Sequence, residues 1–389
     1  MSRPAPADRL ARLPAYPFAL INQRVRQLMQ QGVDVINLDV GSPDMPPPDF
    51  VIEALARAAH QRDKHGYSGY KGAPEFRRAV ANYYQRRFGV ALDPDTEVLA
   101  LIGSKEGIVN LCLAYLDRGD IALVPEISYP AYSMGAYMAG AEVCWVPVDE
   151  QFMPILEAIP ADVLKRAKLL WVNYPNNPTG AAVDLGFYER AVAFCAEHGI
   201  LLASDNPYVE VTYDGFTACS ALQAADSKPF TLEFISLSKS YNMAGWRLGA
   251  AVGSAEAVAN LLQIKSNMDS GHFLPIYEAG AAALDETPQS WIDARNAVYQ
   301  RRRDLILSRM GKIGLTAATP KGSLYIWGKT QPGTGQDYAE GALHHAHVSL
   351  APGGMYGPGG RHYVRISLGI TDDRLASALD RLEKWQKHG

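Results

Sequence analysis

Seven short apolar runs between residues 98 and 252 alternate with stretches that have helical character. Most of these runs are continuously apolar, which is typical of strands buried on both faces of a sheet. Alternating strands and helices predict a mostly parallel sheet covered by helices on both faces, a three-layer α/β arrangement. The predicted strands are 98–102, 121–124, 142–146, 169–173, 200–204, 234–237 and 248–252.

End signals and a change of pattern complete the predicted fold. A helix over about 184–198 begins at the capping acid Asp184 and ends at Gly199, and one over 74–88 begins with proline and ends at Gly89. After residue 290 the chain predicts a long charged helix over about 290–312, strands near 323–328 and 362–367, and a last helix over about 371–387. We therefore expect a large α/β domain over 46–289 and a smaller α+β domain over 290–389.

Composition excludes several classes of function. The chain has 389 residues, is 48% hydrophobic and carries a formal charge of −4, which gives no basic surface for nucleic acid. No apolar run approaches the length of a membrane span, and the N-terminus lacks the apolar core of a signal peptide. The four cysteines lack metal-ligand or CxxC spacing, so we expect reduced cysteines in a cytoplasmic protein. His344 and His347 have no carboxylate or cysteine beside them, and no metal site is predicted.

One lysine, Lys239, lies in a run rich in hydroxyl groups between two predicted strands, and Arg247 follows it eight residues later. A lysine between buried strands is costly if charged, so it should be paired, deprotonated or used covalently. The neighbouring serines and Arg247 together suggest a phosphate-binding site, in which the arginine would donate two hydrogen bonds to the phosphate. This combination favours a Schiff base between the lysine and pyridoxal phosphate (PLP). The alternative is a surface lysine in a serine-rich turn.

Two other polar segments follow predicted strands. Asp205 comes directly after strand 200–204, where open α/β sheets bind ligands, and its carboxylate would hold the PLP ring nitrogen protonated. A cap of a helix or turn is the alternative for this aspartate. Asn177, in the turn after strand 169–173, would donate its amide to an oxyanion on the ring, unless it only shapes an Asn-Pro turn.

The segments 169–180, 204–208 and 236–249 together resemble those of class I/II, fold-type I PLP-dependent aminotransferases, and the resemblance extends over about residues 13–382. It implies a seven-stranded, mostly parallel sheet in the large domain. It also implies an N-terminal arm, residues 1–45, that packs with the small domain, and a long helix from near Ser254 that links the domains. The implied activity is ping-pong transfer of an amino group from an amino acid to a 2-oxo acid.

The resemblance implies a role for each matching residue. Lys239 would bind PLP covalently and move the substrate proton, while Asp205 would pair with the ring nitrogen. Tyr129 would stack on the ring, and Asn177 and Tyr208 would bind its 3′ oxygen. The implied phosphate ligands are Ser104, Lys105, Ser236, Ser238, Arg247 and, from the partner subunit, Tyr67. The implied substrate-binding residues are Gly41, Asn177 and Arg365, and Arg365 is the one that would bind the substrate α-carboxylate.

Several strings, including GYSGYKGAPEFR, NYPNNPTGA and SLSKSYNMAGWRLG, most resemble the LL-diaminopimelate aminotransferase branch. Two features depart from that branch. Tyr70 stands where better-known members carry a glutamate that binds the distal amine, and His272 and Phe273 stand at the expected pocket rim. An alanine, aspartate, methionine or aromatic aminotransferase, or a PLP-dependent C–S lyase of the same fold, remains an alternative. A PLP-binding regulator is disfavoured because no DNA-binding extension is evident.

The resemblance also implies the partners. The partners would be small molecules, an amino acid and a 2-oxo acid such as 2-oxoglutarate, with no nucleic-acid or membrane partner. We expect a homodimer in which Tyr67 and the segment 265–271 reach the cofactor of the partner subunit.

Overall fold

The computed structural model describes residues 5–7, 10, 13 and 17–388. Its α-helices are α1 (Pro17–Gln30), α2 (Asp49–Ala59), α3 (Pro74–Phe88), α4 (Ser104–Tyr115), α5 (Ala131–Ala139), α6 (Ala161–Leu164), α7 (Leu185–His198), α8 (Leu237–Ser240), α9 (Ala255–Lys265), α10 (Leu274–Glu286), α11 (Gln289–Arg309), α12 (Gly335–Gly341) and α13 (Asp372–His388). Its strands are β1 (Ile36–Asn37), β2 (Val98–Leu101), β3 (Ile121–Pro125), β4 (Glu142–Val146), β5 (Ala167–Val172), β6 (Leu201–Asp205), β7 (Thr231–Ser236), β8 (Gly249–Gly253), β9 (Leu315–Thr316), β10 (Tyr325–Thr330), β11 (Val348–Ser349), β12 (Ala351–Pro352) and β13 (Tyr363–Ser367).

The large sheet has the strand order β2-β8-β7-β6-β5-β3-β4. Strands β3 to β7 pair in parallel, and β8 runs antiparallel to both β2 and β7. The predicted mostly parallel, seven-stranded sheet is therefore confirmed, and all its strands come from the predicted runs. Strand β7 begins earlier than predicted, at Thr231, because the polar Glu233 is accommodated inside the sheet. Its carboxylate accepts hydrogen bonds from the hydroxyls of Tyr84, Ser204 and Ser220.

A smaller α+β unit surrounds a second sheet of order β12-β13-β10-β9, whose pairs are all antiparallel. Its core contains Ile306 of α11, Ile326 of β10 and Leu379 of α13. The N-terminal strand β1 pairs in parallel with β11, so residues near 36 pack with this C-terminal unit. The predicted domain boundaries at residues 45 and 289 stay predictions, and part of the predicted arm lies outside the described residues.

Two of the predicted helices match the structure closely. Helix α7 begins after Asp184, whose carboxylate accepts a hydrogen bond of 3.0 Å from the Phe187 amide, and it ends at Gly199 with φ of 65°. Helix α3 ends at Gly89, which also adopts a left-handed conformation with φ of 71°. Local capping and glycine signals were sufficient here because both act within one turn of the helix end.

The single long helix expected after Ser254 is wrong. The structure has three helices instead, α9, α10 and α11. The first break comes where the Lys265 side chain turns inward to bind Asp269, four residues later. The second comes at Thr287, which precedes a proline and therefore adopts an extended conformation.

Within the described ranges no helix is long and apolar enough to cross a membrane. In the same part of the chain, no group of three or more histidine, cysteine or carboxylate side chains could hold a metal ion.

Candidate active site

A cavity of about 350 Å³ opens at the carboxyl ends of β5, β6 and β7. Every predicted site residue except Tyr67 lines it. The predicted residues in the lining are Gly41, Ser104, Lys105, Tyr129, Asn177, Asp205, Tyr208, Ser236, Ser238, Lys239, Arg247 and Arg365. Strand β6 contributes the aspartate, helix α8 after β7 contributes the lysine, and β13 of the smaller unit contributes Arg365.

Lys239 lies on the one-turn helix α8, directly after β7. Ser236 caps this turn, because its side chain accepts a hydrogen bond of 3.2 Å from the Ser238 amide. The Lys239 amine donates a hydrogen bond to the backbone carbonyl of Gly41, which also lines the cavity. Burial, and then the charges of Arg365 and Arg247, lower the pKa of Lys239 to about 7. At neutral pH a substantial fraction of this amine is therefore uncharged and can act as a nucleophile or a base.

Asp205 ends strand β6 and is buried. Its Oδ2 accepts a hydrogen bond of 2.7 Å from the Tyr132 hydroxyl, and its backbone carbonyl accepts one of 2.6 Å from Asn173. Among the described residues, Oδ1 is buried without a hydrogen-bond partner. Burial raises the pKa of this carboxyl to about 7. A protonated ring nitrogen would satisfy Oδ1 and hold the group ionised, so the carboxylate fits the pyridine of PLP.

The N-terminus of α4 and Arg247 form a concave group of hydrogen-bond donors. Helix α4 begins at Ser104, so its first amide groups have no partner within the helix. Arg247 extends from the other side, with Nη1 3.4 Å from the Ser238 hydroxyl. A Cβ atom at Gly103 would lie 2.4 Å from Nη2 of Arg247, so glycine allows this close approach. A helix N-terminus beside a guanidinium and a serine suits the phosphate of PLP.

Arg365 provides a second fixed cation and is 3% exposed. Its Nη1 donates to Oδ1 of Asn177 at 2.9 Å, and its Nη2 donates to the Asp39 carbonyl at 2.6 Å. The guanidinium carbon lies 4.0 Å from the centroid of the Tyr325 ring. Because Asn177 presents its oxygen to the arginine, its amide NH₂ is the group left to donate to a ring oxygen. The geometry suits a carboxylate placed between Arg365 and Lys239.

Among the residues that contact the predicted site without having been predicted are Tyr325, Asp39 and Tyr132. The Tyr325 hydroxyl lies 3.0 Å from the Tyr208 hydroxyl. A Cβ atom at Gly41 would lie 2.2 Å from the Tyr325 hydroxyl. Asp39 lines the cavity, and its carboxylate accepts a hydrogen bond from Ser349. Tyr132 follows the predicted Tyr129 by three residues, and the two rings meet edge to face with centroids 5.8 Å apart, so its place in the chain beside Tyr129 could have indicated it. Asp39 lies two residues before the predicted Gly41, whereas Tyr325 approaches the site from the distant strand β10, where no local signal indicates it.

Tyr67 lies outside the cavity and its side chain is 91% exposed. Other exposed apolar side chains from the neighbouring segments are Tyr70, Met268 and Phe273. The expectation that the segment 265–271 reaches the cofactor of a partner subunit stays a prediction, and the position of Lys265 within its own subunit is clear. This lysine is buried, and its amine binds Asp269 at 2.7 Å.

Comparisons with known proteins agree with this geometry. The family model described as aminotransferase class I and II matches residues 33–382. A curated LL-diaminopimelate aminotransferase of Moorella thermoacetica is 45% identical over 381 residues, which is 97% of each chain. One of Nitratidesulfovibrio vulgaris is 44% identical over 97% of this chain and 98% of its own.

Solved structures show the same fold. Apo-BacF of Bacillus subtilis matches with a TM-score of 0.94 and 35% identity, covering 98% of both chains. The aspartate aminotransferase of Thermus thermophilus with maleate matches with a TM-score of 0.91 and 30% identity, covering 98% of this chain and all of its own (100%).

Proposed function

Because this chain belongs to the class I and II aminotransferase family and is a PLP-dependent enzyme, we propose that it transfers an amino group between LL-diaminopimelate and 2-oxoglutarate. The main support for this substrate is that the curated relatives share one name. Those from Moorella thermoacetica and Nitratidesulfovibrio vulgaris bear this name and align over 97% of the chain. The cavity supports amino-acid chemistry, because a buried arginine and a lysine of lowered pKa line the same space.

The proposed roles of the side chains follow from their contacts. When bound, PLP supplies an electron sink for the electrons of the substrate Cα–H bond. Asp205, with Oδ1 unpartnered within the described residues, would hold the ring nitrogen protonated. Arg365 would bind the α-carboxylate through two parallel hydrogen bonds and so orient the Cα–H bond. The Lys239 amine, uncharged in a substantial fraction near pH 7, would accept the Cα proton and return it to the product.

Recognition of the distal end of the substrate depends on groups other than a carboxylate at position 70. The residue at position 70 is a tyrosine with a half-exposed side chain, and it cannot provide a carboxylate for a distal amine. The proposal therefore requires a direct comparison of donors. Purified enzyme would be supplied with 2-oxoglutarate and, in separate reactions, LL-diaminopimelate, meso-diaminopimelate, alanine, aspartate, methionine or tyrosine.

We expect the highest kcat/KM for LL-diaminopimelate, measured as glutamate formed. A higher kcat/KM for another donor would identify that amino acid as the substrate, and the aminotransferase activity would still be supported. Release of ammonia and pyruvate from cystathionine, without glutamate formation from any donor, would instead identify a C–S lyase.

We further propose that the enzyme is a homodimer in which Tyr67 binds the cofactor phosphate of the partner subunit. The support is the position of Tyr67, which is 91% exposed in one subunit and absent from that subunit's own cavity. The exposed side chains of Tyr70, Met268 and Phe273 supply apolar area for a subunit contact. A two-fold dimer would bury both copies of this surface together.

Subunit mixing tests this arrangement. Tyr67→Ala and Lys239→Ala enzymes should each have low activity. A mixed dimer of the two contains one site with an intact Lys239 and an intact Tyr67 from the partner subunit, so mixing should restore activity. No recovery in dimers shown to have exchanged subunits would place Tyr67 in the site of its own subunit.

We also propose a cytoplasmic location. The cysteines Cys112, Cys144, Cys195 and Cys219 are all free, as expected in a reducing compartment. Fractionation of cells that express the chain with a C-terminal tag would test this, and recovery in any other fraction would contradict it.

A further inference from the structure

We propose that His272 is a positioning residue for the cofactor phosphate, because its imidazole holds Arg247 in the conformation that directs the guanidinium into the cavity. The inference rests on the proposed role of Arg247 as a phosphate ligand. The contact that carries it is a hydrogen bond of 2.8 Å between His272 Nε2 and the Arg247 backbone carbonyl. A carbonyl only accepts, so Nε2 carries the proton.

Arg247 needs such support because its backbone is in the left-handed region, with φ of 56°. A residue with a side chain adopts this region at a cost and stays there when surrounding contacts hold it. Its Nη1 donates to the Ala244 carbonyl at 2.9 Å and approaches Ser238, and its Nη2 lies against Gly103. A change in the backbone at Arg247 would move the guanidinium away from the N-terminus of α4.

Contacts made by His272 itself and by the preceding Gly271 fix the position of the imidazole. The His272 amide donates to the Tyr277 hydroxyl at 3.2 Å, and the two rings meet edge to face with centroids 5.3 Å apart. Gly271 has φ of 81°, and a Cβ atom there would lie 2.5 Å from the Ser68 hydroxyl. Its amide donates to Asp269 at 2.8 Å. The turn is therefore tightly defined, and the imidazole has little freedom.

One buried lysine connects this turn to the other half of the phosphate site. The Lys265 amine binds both carboxylate oxygens of Asp269 at 2.7 Å and lies 3.5 Å from Glu106. Glu106 is in the first turn of α4 and accepts a hydrogen bond of 3.0 Å from the Ile102 amide. The same network thus supports the N-terminus of α4 and, through His272, Arg247.

The test compares binding of PLP and of pyridoxal, which lacks the phosphate, to the full-length chain freed of cofactor. His272→Leu should weaken PLP binding by about two- to tenfold, the usual effect of one lost hydrogen bond, and leave pyridoxal binding unchanged. Inorganic phosphate should compete less well with PLP in this variant. His272→Gln, whose amide can reach the same carbonyl, should restore most of the PLP affinity.

His362→Leu is the control matched to His272→Leu, because Nδ1 of His362 also contacts a backbone carbonyl, that of Gly333 at 3.0 Å, outside the cavity. It should leave both affinities unchanged. If the leucine variant fails to fold, His272→Asn provides the same comparison, since its amide is too short to reach Arg247. Equal losses of PLP and pyridoxal affinity, or no loss of either, would overturn the inference.

Arg247→Ala separates this inference from the proposed function. If Arg247→Ala weakens PLP binding but not pyridoxal binding while His272→Leu does neither, the role of His272 is wrong and the phosphate site stands. If Arg247→Ala also fails to distinguish the two ligands, the phosphate site itself is misplaced and the inference falls with it.

Discussion

The Tyr132 hydroxyl donates a hydrogen bond of 2.7 Å to Oδ2 of Asp205, and both side chains are buried. The tyrosine ring stacks on Trp171 with a centroid distance of 4.7 Å and an interplanar angle of 5°, so the hydroxyl cannot easily move. This hydrogen bond occupies one carboxylate oxygen and orients the other. It also lowers the pKa of Asp205, which opposes the larger effect of burial.

Replacing Tyr132 with phenylalanine should therefore weaken PLP binding. The hydrogen bond goes to an ionised group, so its loss is expected to cost about 1.5–3 kcal/mol, roughly ten- to a hundredfold in affinity. Titration of the cofactor-free chain with PLP measures the effect. Tyr174→Phe is the control, because it removes a buried hydroxyl that donates to the Phe152 carbonyl outside the site. Equal PLP affinity in the two variants would refute the role of Tyr132.

The lowered pKa of Lys239 predicts a pH-dependent stability difference in the cofactor-free protein. The folded amine has a pKa of about 7 and the unfolded amine one near 10.5, so below pH 7 folding must bury a charged lysine. Lys239→Met should then be more stable than wild type at pH 6, and the advantage should shrink as the pH rises from 7 towards 10.5. Each unit of pKa is worth about 1.4 kcal/mol, an upper bound because the side chain keeps some solvent contact. Urea unfolding at pH 6 and pH 9 measures this, and a constant difference would contradict it.

Arg365→Lys should impair the reaction without removing the cofactor. A lysine cannot form the two parallel hydrogen bonds with a carboxylate that a guanidinium forms. We expect kcat/KM to fall by roughly ten- to a hundredfold, equivalent to about 1.5–3 kcal/mol, for every amino-acid donor. PLP affinity should be nearly unchanged, because Arg247 is the proposed phosphate ligand. Loss of cofactor, or unchanged kcat/KM, would show that the carboxylate binds elsewhere.

Gly103→Ala should weaken PLP binding more than backbone strain alone explains. Gly103 and Gly89 both have φ of 71°, but ψ is 158° at Gly103 and 14° at Gly89. Alanine should therefore destabilise the fold by about 1–2 kcal/mol at Gly89, in the left-handed helical region, and by more at Gly103, whose region is essentially restricted to glycine. At Gly103 the new Cβ atom would also lie 2.4 Å from Nη2 of Arg247, whereas at Gly89 nothing lies within 4 Å. Only Gly103→Ala should therefore lose PLP affinity. Thermal unfolding and PLP titration of both variants test this. An equal change of PLP affinity in the two variants would count against a phosphate site between Gly103 and Arg247.

Much of the fold and part of the candidate site could be predicted from the sequence, because the signals are local. Continuous apolar runs predicted the strands of the large sheet, and the polar residues after them predicted Asp205, Asn177 and Lys239 as cavity residues. A strand end and the residue after it necessarily lie together, so their position in the sheet follows from the chain itself. The resemblance to a known family added Gly41 and Arg365, for which no local pattern is specific.

Tertiary structure alone decided the contacts between distant segments. Arg365 meets Asn177 across 188 positions and Asp39 across 326, and Tyr132 meets Asp205 across 73. Such pairs depend on how the sheets and helices pack, and periodicity within one segment carries no information about them. The buried Lys265 shows the same limit, because its amine lies 3.5 Å from Glu106, 159 positions away, at the end of a helix that the family resemblance implied would continue. The sequence by itself thus determined the strands and the chemical groups at their ends, while packing determined which of those groups hold one another in place.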